Sequence, residues 1–217
     1  VKEILLEKNT VFYKITPENI ENYLGKKKYF YTENSNKNEI GVVNGMAYTI
    51  FGGDILPIEA NIFKGKGDLI LTGSLGEVMQ ESCQIALSYI KANTEEFNID
   101  YKLLEENNIH IHFPEGAVSK DGPSAGIAIT SALISIFKKQ TVNYNISMTG
   151  EITLRGRILP IGGLKEKIIG AHRAGIKTVF LPKENEKDLE EIPEDIKKDI
   201  TFNFVSNYIE IYKKLFK

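Results

Sequence analysis

The chain has 217 residues, 42% hydrophobic and 26% charged, with a formal net charge of -2. That balance excludes an intrinsically disordered segment and leaves no basic footprint for nucleic acid. A single cysteine, Cys83, excludes an intrachain disulfide, and no run approaches the roughly 18 apolar residues that span a membrane, so a cytoplasmic enzyme is the expected placement.

Residues 1–38 differ from the rest. Thr16 to Gly25 reads as a short helix, with Thr16 as cap, Pro17 in the first turn and Gly25 as stop. Lys- and Asn-rich sequence without periodicity follows through Asn38, including the solvated run Lys26-Lys27-Lys28. The segment reads as the tail of a preceding module plus a linker, and 39–217 as the main domain. Val42–Phe51 and Ile55–Phe63 read as strands joined by a hairpin turn at Gly52-Gly53-Asp54, followed by a short strand at Asp68–Leu71. Ser74 to Glu77 has the spacing of a capping box. Leu75, Val78, Met79, Ser82, Cys83, Ala86, Tyr89 and Ile90 then recur at about 3.6 residues, predicting a helix whose Cys83 is an inert core thiol.

Ile109–Phe113 alternates as a strand, 114–121 is a loop, and Ser124–Phe137 is apolar nearly all round, predicting a buried helix. Strands follow at Ile146–Thr149 and Ile152–Ile161. Gly162-Gly163 then turns into a helix over Leu164–Ala174, stopped by Gly175. Val179–Leu181 is a short strand, Glu184–Ile192 a charged helix and Phe202–Phe204 an edge strand. Ser206 caps a last helix with Tyr208, Tyr212, Leu215 and Phe216 inward. The irregular mixture predicts an α+β or mixed α/β fold.

Chemistry concentrates in two stretches. In Glu115 to Gly126 a glycine-punctuated loop ends on Pro123 and Ser124 opens a helix, where unpaired amides and the positive helix end favour an oxyanion. The plain alternative makes Ser124 an ordinary helix cap. A serine nucleophile needs a base. His110 and His112 share one strand face and are candidates, as is a metal pair with Asp121 or Glu115 as a third ligand. His172 reads as a surface or helix-end residue. Lys165 and Lys167 are the other candidates. They point in different directions on one helix, and the apolar run Ile168 to Ala171 could shield Lys167, lowering its pKa by desolvation. The loop also faintly resembles the phosphate loop of small-molecule kinases, a rival reading that Asp121 opposes. No Gly-x-x-x-x-Gly-Lys-Ser/Thr is present.

Lys120 to Gly126 match the motif Pro-Lys-Asp-Gly-Pro-Ser-Ala-Gly after its first residue, where Ser119 stands, and Gly162 to Lys167 read Gly-Gly-Leu-Lys-Glu-Lys. Gly41 to Thr49, with Met46 and Tyr48 in place of Leu and Trp, then Glu59, His110 to Gly116 and His172 to Gly175 complete the pattern. Together these resemble the proteolytic domain of the Lon family of ATP-dependent proteases, from about Ile40 to the C-terminus. The resemblance implies that family's α+β fold, similar to the second domain of a small-subunit ribosomal protein and to sugar and mevalonate kinase domains. It implies Ser124 as nucleophile and Lys167 as general base, Thr149 hydrogen-bonded to Lys167, and Asp121 on the loop controlling Ser124. Glu59, His110 and His112 are implied in the surroundings. Residues 1–25 resemble the end of the family's ATPase module. No cofactor is expected in this domain, ATP and Mg belonging to that module. The implied partners are unfolded or misfolded protein substrates, with preference for an apolar residue before the cut, and further copies of the chain in a hexameric ring.

Overall fold

The computed structural model describes residues 14–26, 34, 36–49 and 52–217. The chain forms two compact units, Val1–Tyr31 and Thr32–Lys217. In the first, α1 (Ile20–Leu24) ends where Gly25 takes a φ of 80°. Thr16 does not cap it through its side chain. Its carbonyl accepts from the Asn19 and Ile20 amides, and its amide donates to Asn19 Oδ1 at 2.8 Å. Lys27, Lys28 and Phe51 lie outside the described residues.

The second unit is mixed α/β. It runs β1 (Val42–Thr49), β2 (Gly52–Lys64), β3 (Leu69–Thr72), α2 (Glu77–Ala92), α3 (Thr94–Phe97), α4 (Tyr101–Glu105) and β4 (Asn107–His112). Then come α5 (Gly126–Lys138), β5 (Ile146–Met148), β6 (Glu151–Ile152), β7 (Ile158–Leu159), α6 (Leu164–Arg173) and β8 (Thr178–Pro182). A 3₁₀ helix (Lys183–Glu191), α7 (Glu194–Asp199), β9 (Thr201–Val205) and α8 (Tyr208–Leu215) complete it. Seven strands form one sheet in the order β3-β4-β2-β1-β5-β8-β9, with β9 at an edge, while β6 and β7 pair separately. Only β1–β2 and β2–β4 are antiparallel in the large sheet.

Alternation along the strands divides the core in two, because successive side chains leave opposite faces. Val43, Ile58 and Phe180 join α2, α5 and α8 in one cluster; Met46, Ile55 and Val179 join α6 and α7 in the other. Helix α5 is buried at every position from Gly126 to Phe137, as its uniformly apolar sequence predicts.

Local signals misled at several points. Gly52, Gly53 and Asp54 are not the hairpin turn; they are strand residues of β2 paired with Thr49, Tyr48 and Ala47. Ser74 forms no capping box. It sits at φ 58°, and α2 starts after Gly76 with no side-chain cap from its own segment. The run 152–161 is not one strand, because Gly156 at φ 75° turns it and Thr153 N donates to Arg157 O, making a hairpin of β6 and β7. Residues 183–191 form a 3₁₀ helix, tied by the buried Asn185 side chain to both backbone groups of Ile161. Asn207, not Ser206, caps α8, in a capping box with Glu210.

Candidate active site

Ser124 lies two residues before the first helical residue of α5, not in its first turn. Its hydroxyl is not a helix cap: α5 has no side-chain cap, and the Ile127 amide donates instead to Gly150 O at 3.1 Å. The Ser124 carbonyl is held twice, by the Gly150 amide at 2.7 Å and the Thr149 hydroxyl at 3.0 Å. Two donors on one carbonyl fix the backbone and leave the side chain to other work.

Lys167 reaches this point because α6 crosses β2 glycine on glycine. A Cβ on Gly53 would stand 1.7 Å from the Glu166 carbonyl oxygen, and one on Gly170 would stand 2.4 Å from the Gly53 carbonyl carbon. Only residues without a side chain permit that approach. Arg173 Nη2 fastens the crossing by donating to Gly53 O at 2.6 Å. The close seat leaves Lys167 4% exposed, while Lys165 faces solvent.

Lys167 Nζ is 3.0 Å from Ser124 Oγ and 3.1 Å from Thr149 Oγ1. Burial lowers the Lys167 pKa from its ordinary 10.5 to about 8. Roughly a tenth of such an amine is neutral at pH 7, against fewer than one in a thousand for an ordinary lysine. A neutral amine at hydrogen-bond distance from a serine hydroxyl can accept its proton. The pair opens into a cleft of about 300 Å³ whose apolar lining includes Met46, Ile55, Leu56, Met79, Val118 and Ala125.

The loop before Ser124 is anchored to α2. Asp121 Oδ1 accepts from the Met79 amide at 3.0 Å and from the Gly122 amide at 2.9 Å, so a residue 42 positions away supplies the cap that Ser74 does not. A Cβ on Gly76 would collide with that carboxylate. Beside the cleft, β1 pairs with β5 only at Asn44 and Gly45. The parallel register with β5 ends at Gly45↔Met148, so Met46 to Thr49 have no β5 residue paired beside them.

Glu59, His110 and His112 are not brought to Ser124 and Lys167. They line a different cavity, of about 710 Å³, with Val42, Asn61 and Lys139. Both imidazoles hydrogen-bond to Thr72 Oγ1, His110 through Nε2 at 2.9 Å and His112 through Nδ1 at 2.7 Å. His172 pairs with Asp199 at 2.8 Å near the end of α6. Among the described residues, no group of three or more His, Cys, Asp and Glu is disposed to hold a metal ion. Cys83 is fully buried, and burial pushes its thiol pKa up to about 12.

Residues 14–217 match the family described as the Lon protease (S16) C-terminal proteolytic domain. The chain belongs to that family. It is 53% identical over 193 residues to the Lon protease of Aster yellows witches'-broom phytoplasma (strain AYWB), covering 89% of this chain and 24% of that protein. It is 54% identical over 179 residues to Lon protease 1 of Bacillus subtilis (strain 168), covering 82% and 23%, and 52% identical over 193 residues to the Lon protease of Escherichia coli (strain K12), covering 89% and 25%. The chain thus spans about a quarter of the length of these curated relatives.

Two features of this Lon-type domain escape sequence reasoning. The Gly53–Gly170 crossing has as its only sequence signal a glycine inside a strand and another inside a helix, each a mark of close backbone approach. Lys120 was one residue of a matched motif; in three dimensions its Nζ donates to three carbonyls, those of Gly73, Glu115 and Val118. A lysine beside a glycine-rich loop carries no such information in its identity alone.

Proposed function

We propose that this Lon-type domain is a serine endopeptidase with a Ser-Lys dyad, Ser124 as nucleophile and Lys167 as general base, and that it is the proteolytic part of a longer ATP-dependent enzyme. The observation that carries the reading is an amine 4% exposed, with its pKa lowered to about 8, at 3.0 Å from a serine hydroxyl that caps no helix. Neutral Lys167 takes the Ser124 proton as Oγ attacks the scissile carbonyl. The protonated amine then gives the proton to the leaving nitrogen, and water hydrolyses the acyl-enzyme. Thr149 keeps Lys167 aimed and the Ser124 backbone still. The Ser124 and Ala125 amides, which make no hydrogen bond to a described residue, are suited to the oxyanion.

The substrate is extended polypeptide, unfolded or misfolded, adding as a strand to the β1 edge beyond its pairing with β5. The apolar cleft lining suits an apolar residue before the cut. Asp121 sets the loop by its hold on α2. ATP and Mg act in a separate ATPase module of the full enzyme, which works in the cytoplasm as a hexameric ring, with residues 1–38 as the end of that module and its linker. Against the kinase alternative, Asp121 puts a carboxylate on the loop that would meet a phosphate, and the Gly126 and Ile127 amides already donate to Pro123 O and Gly150 O.

A serine-directed acylating probe tests the assignment. Mass spectrometry is expected to find the adduct on Ser124, and Ser124→Ala is expected to lose both the adduct and peptide cleavage while its circular dichroism is unchanged. Cleavage surviving in purified Ser124→Ala protein, or an adduct on another serine, would overturn it.

A further inference from the structure

Three residues beside the cleft loop have positive φ: Gly73 at 115°, Ser74 at 58° and Glu115 at 63°. For Ser74 and Glu115 that conformation is strained, and such strain persists only where the surroundings hold it. All three carbonyls are held by one residue. Lys120 Nζ donates to Gly73 O at 3.3 Å and Glu115 O at 2.8 Å, and the Lys120 amide donates to Ser74 O at 3.0 Å. Nζ also donates to Val118 O at 3.0 Å, and the Lys120 carbonyl accepts from the Gly76 amide at 2.8 Å. An ammonium has three protons, and three carbonyls match them. Partial burial lowers the Lys120 pKa, and the Glu115 carboxylate opposes that shift.

The segment so gathered is functional surface. Glu115, Val118, Ser119 and Lys120 line the same cleft as Ser124 and Lys167. The Lys120 ammonium hydrogen-bonds to carbonyls and to neither of those side chains, so its influence runs through the shape of residues 115–119 and not through the proton path.

We propose that Lys120 is a positioning residue that holds 115–119 as a wall of the cleft and thereby sets affinity for an extended peptide. The proposal rests on the peptidase reading above. Without the ammonium, Glu115 and Gly73 lose the donor that steadies their strained backbone, and the wall relaxes away from the substrate. The dyad keeps its geometry, because Ser124 is fixed by Thr149 and Gly150, and Lys167 by the α6 crossing.

The test compares Lys120→Met and Lys120→Gln with the unaltered chain, reading KM and kcat on an apolar peptide and the labelling rate of Ser124 by a small acylating probe that needs no extended site. For Lys120→Met, KM is expected to rise about tenfold, with kcat and labelling within about threefold, since the lost interaction acts on binding. Lys120→Gln, whose amide can still donate, should recover part of the loss. Labelling that falls in step with kcat/KM, or a KM that does not move, overturns the proposal. Should Lys120→Met fail to fold, Lys120→Gln and Lys120→Arg carry the same comparison with the same overturning outcome. An unaltered chain that is neither labelled nor active on peptides defeats the peptidase reading itself, and this proposal with it. That failure is visible before any variant is made.

Discussion

Lys167 and Lys120 both face the cleft, and burial draws the pKa of each down, yet their ammonium groups meet different partners. On the loop side, Lys120 is bound to three carbonyls, which only accept. Loss of a proton there would leave an acceptor unserved. On the α6 side, Lys167 is bound to two hydroxyls, Ser124 Oγ and Thr149 Oγ1. The Ser124 hydroxyl can accept from a charged amine and donate to a neutral one, while the Thr149 hydroxyl, which donates to Ser124 O, accepts from the amine. The same residue type is therefore placed to clamp in one region and, on the proposed mechanism, to carry a proton in the other, and the acceptors decide which. Burial alone would not separate them in kind.

The largest test of that contrast is Lys167→Met, which keeps the length of the side chain and removes its proton chemistry. Peptide cleavage is expected to fall by about 10³, within the range for losing a general base, whereas Lys120→Met should act through KM. The same variant has a signature in stability. The folded pKa of Lys167 is about 8 and its ordinary value 10.5. Below pH 8 both folded and unfolded chains hold the proton, and the fold bears the whole burial cost. Between these values the unfolded chain keeps a proton that the folded chain has released, so stability rises with pH, by about 3 kcal/mol in all. Lys167→Met lacks this rise and should melt above the unaltered chain at pH 7, with the gap closing towards pH 10.5. Parallel melting curves across that range would mean Lys167 is not buried as a charge.

The pH profile of activity is the next test. On the proposed mechanism only the neutral amine acts as base, so kcat/KM should climb as pH rises, by about tenfold from pH 7 to its plateau, with the bend near 8. Initial rates on a peptide across pH 6 to 9.5 measure this. A flat profile would place Lys167 with Lys120, among the clamps.

How much of this was legible in the sequence follows from the range of each interaction. Helices α2 and α5 and the core strands follow from apolar spacing, since their partners are set by periodicity alone. The motifs single out Ser124 and Lys167, and residue chemistry by itself leaves Lys165, His110 and His112 beside them. Distance in space, which separates these candidates, is a property of the fold. Two of the misread elements share one cause. Gly52-Gly53 has the composition of a turn, but Gly53 is small because α6 lies on it. Ser74 has the spacing of a cap, but the cap comes from Asp121, beyond the whole of α2 and β4. In both cases a tertiary contact outranks a local preference that was itself sound.

Thr149 gives the finest test of the contrast, because its one hydroxyl donates to Ser124 O and accepts from Lys167 Nζ. Thr149→Val preserves shape and burial and removes both bonds. The Gly150 amide still holds Ser124 O, so the loss in kcat should be modest, about fivefold. The direction of the pH shift carries more information than the size of the loss. A hydrogen bond to the ammonium favours its charged form, and removing it lowers the amine's pKa further, so the acid limb of the rate profile should move to lower pH. Thr149→Ser, which restores the hydroxyl, should return the limb to its place. If the limb moved to higher pH in Thr149→Val, water would have entered beside Lys167. Its low pKa would then owe more to the packing around Thr149 than to the choice of hydroxyls over carbonyls.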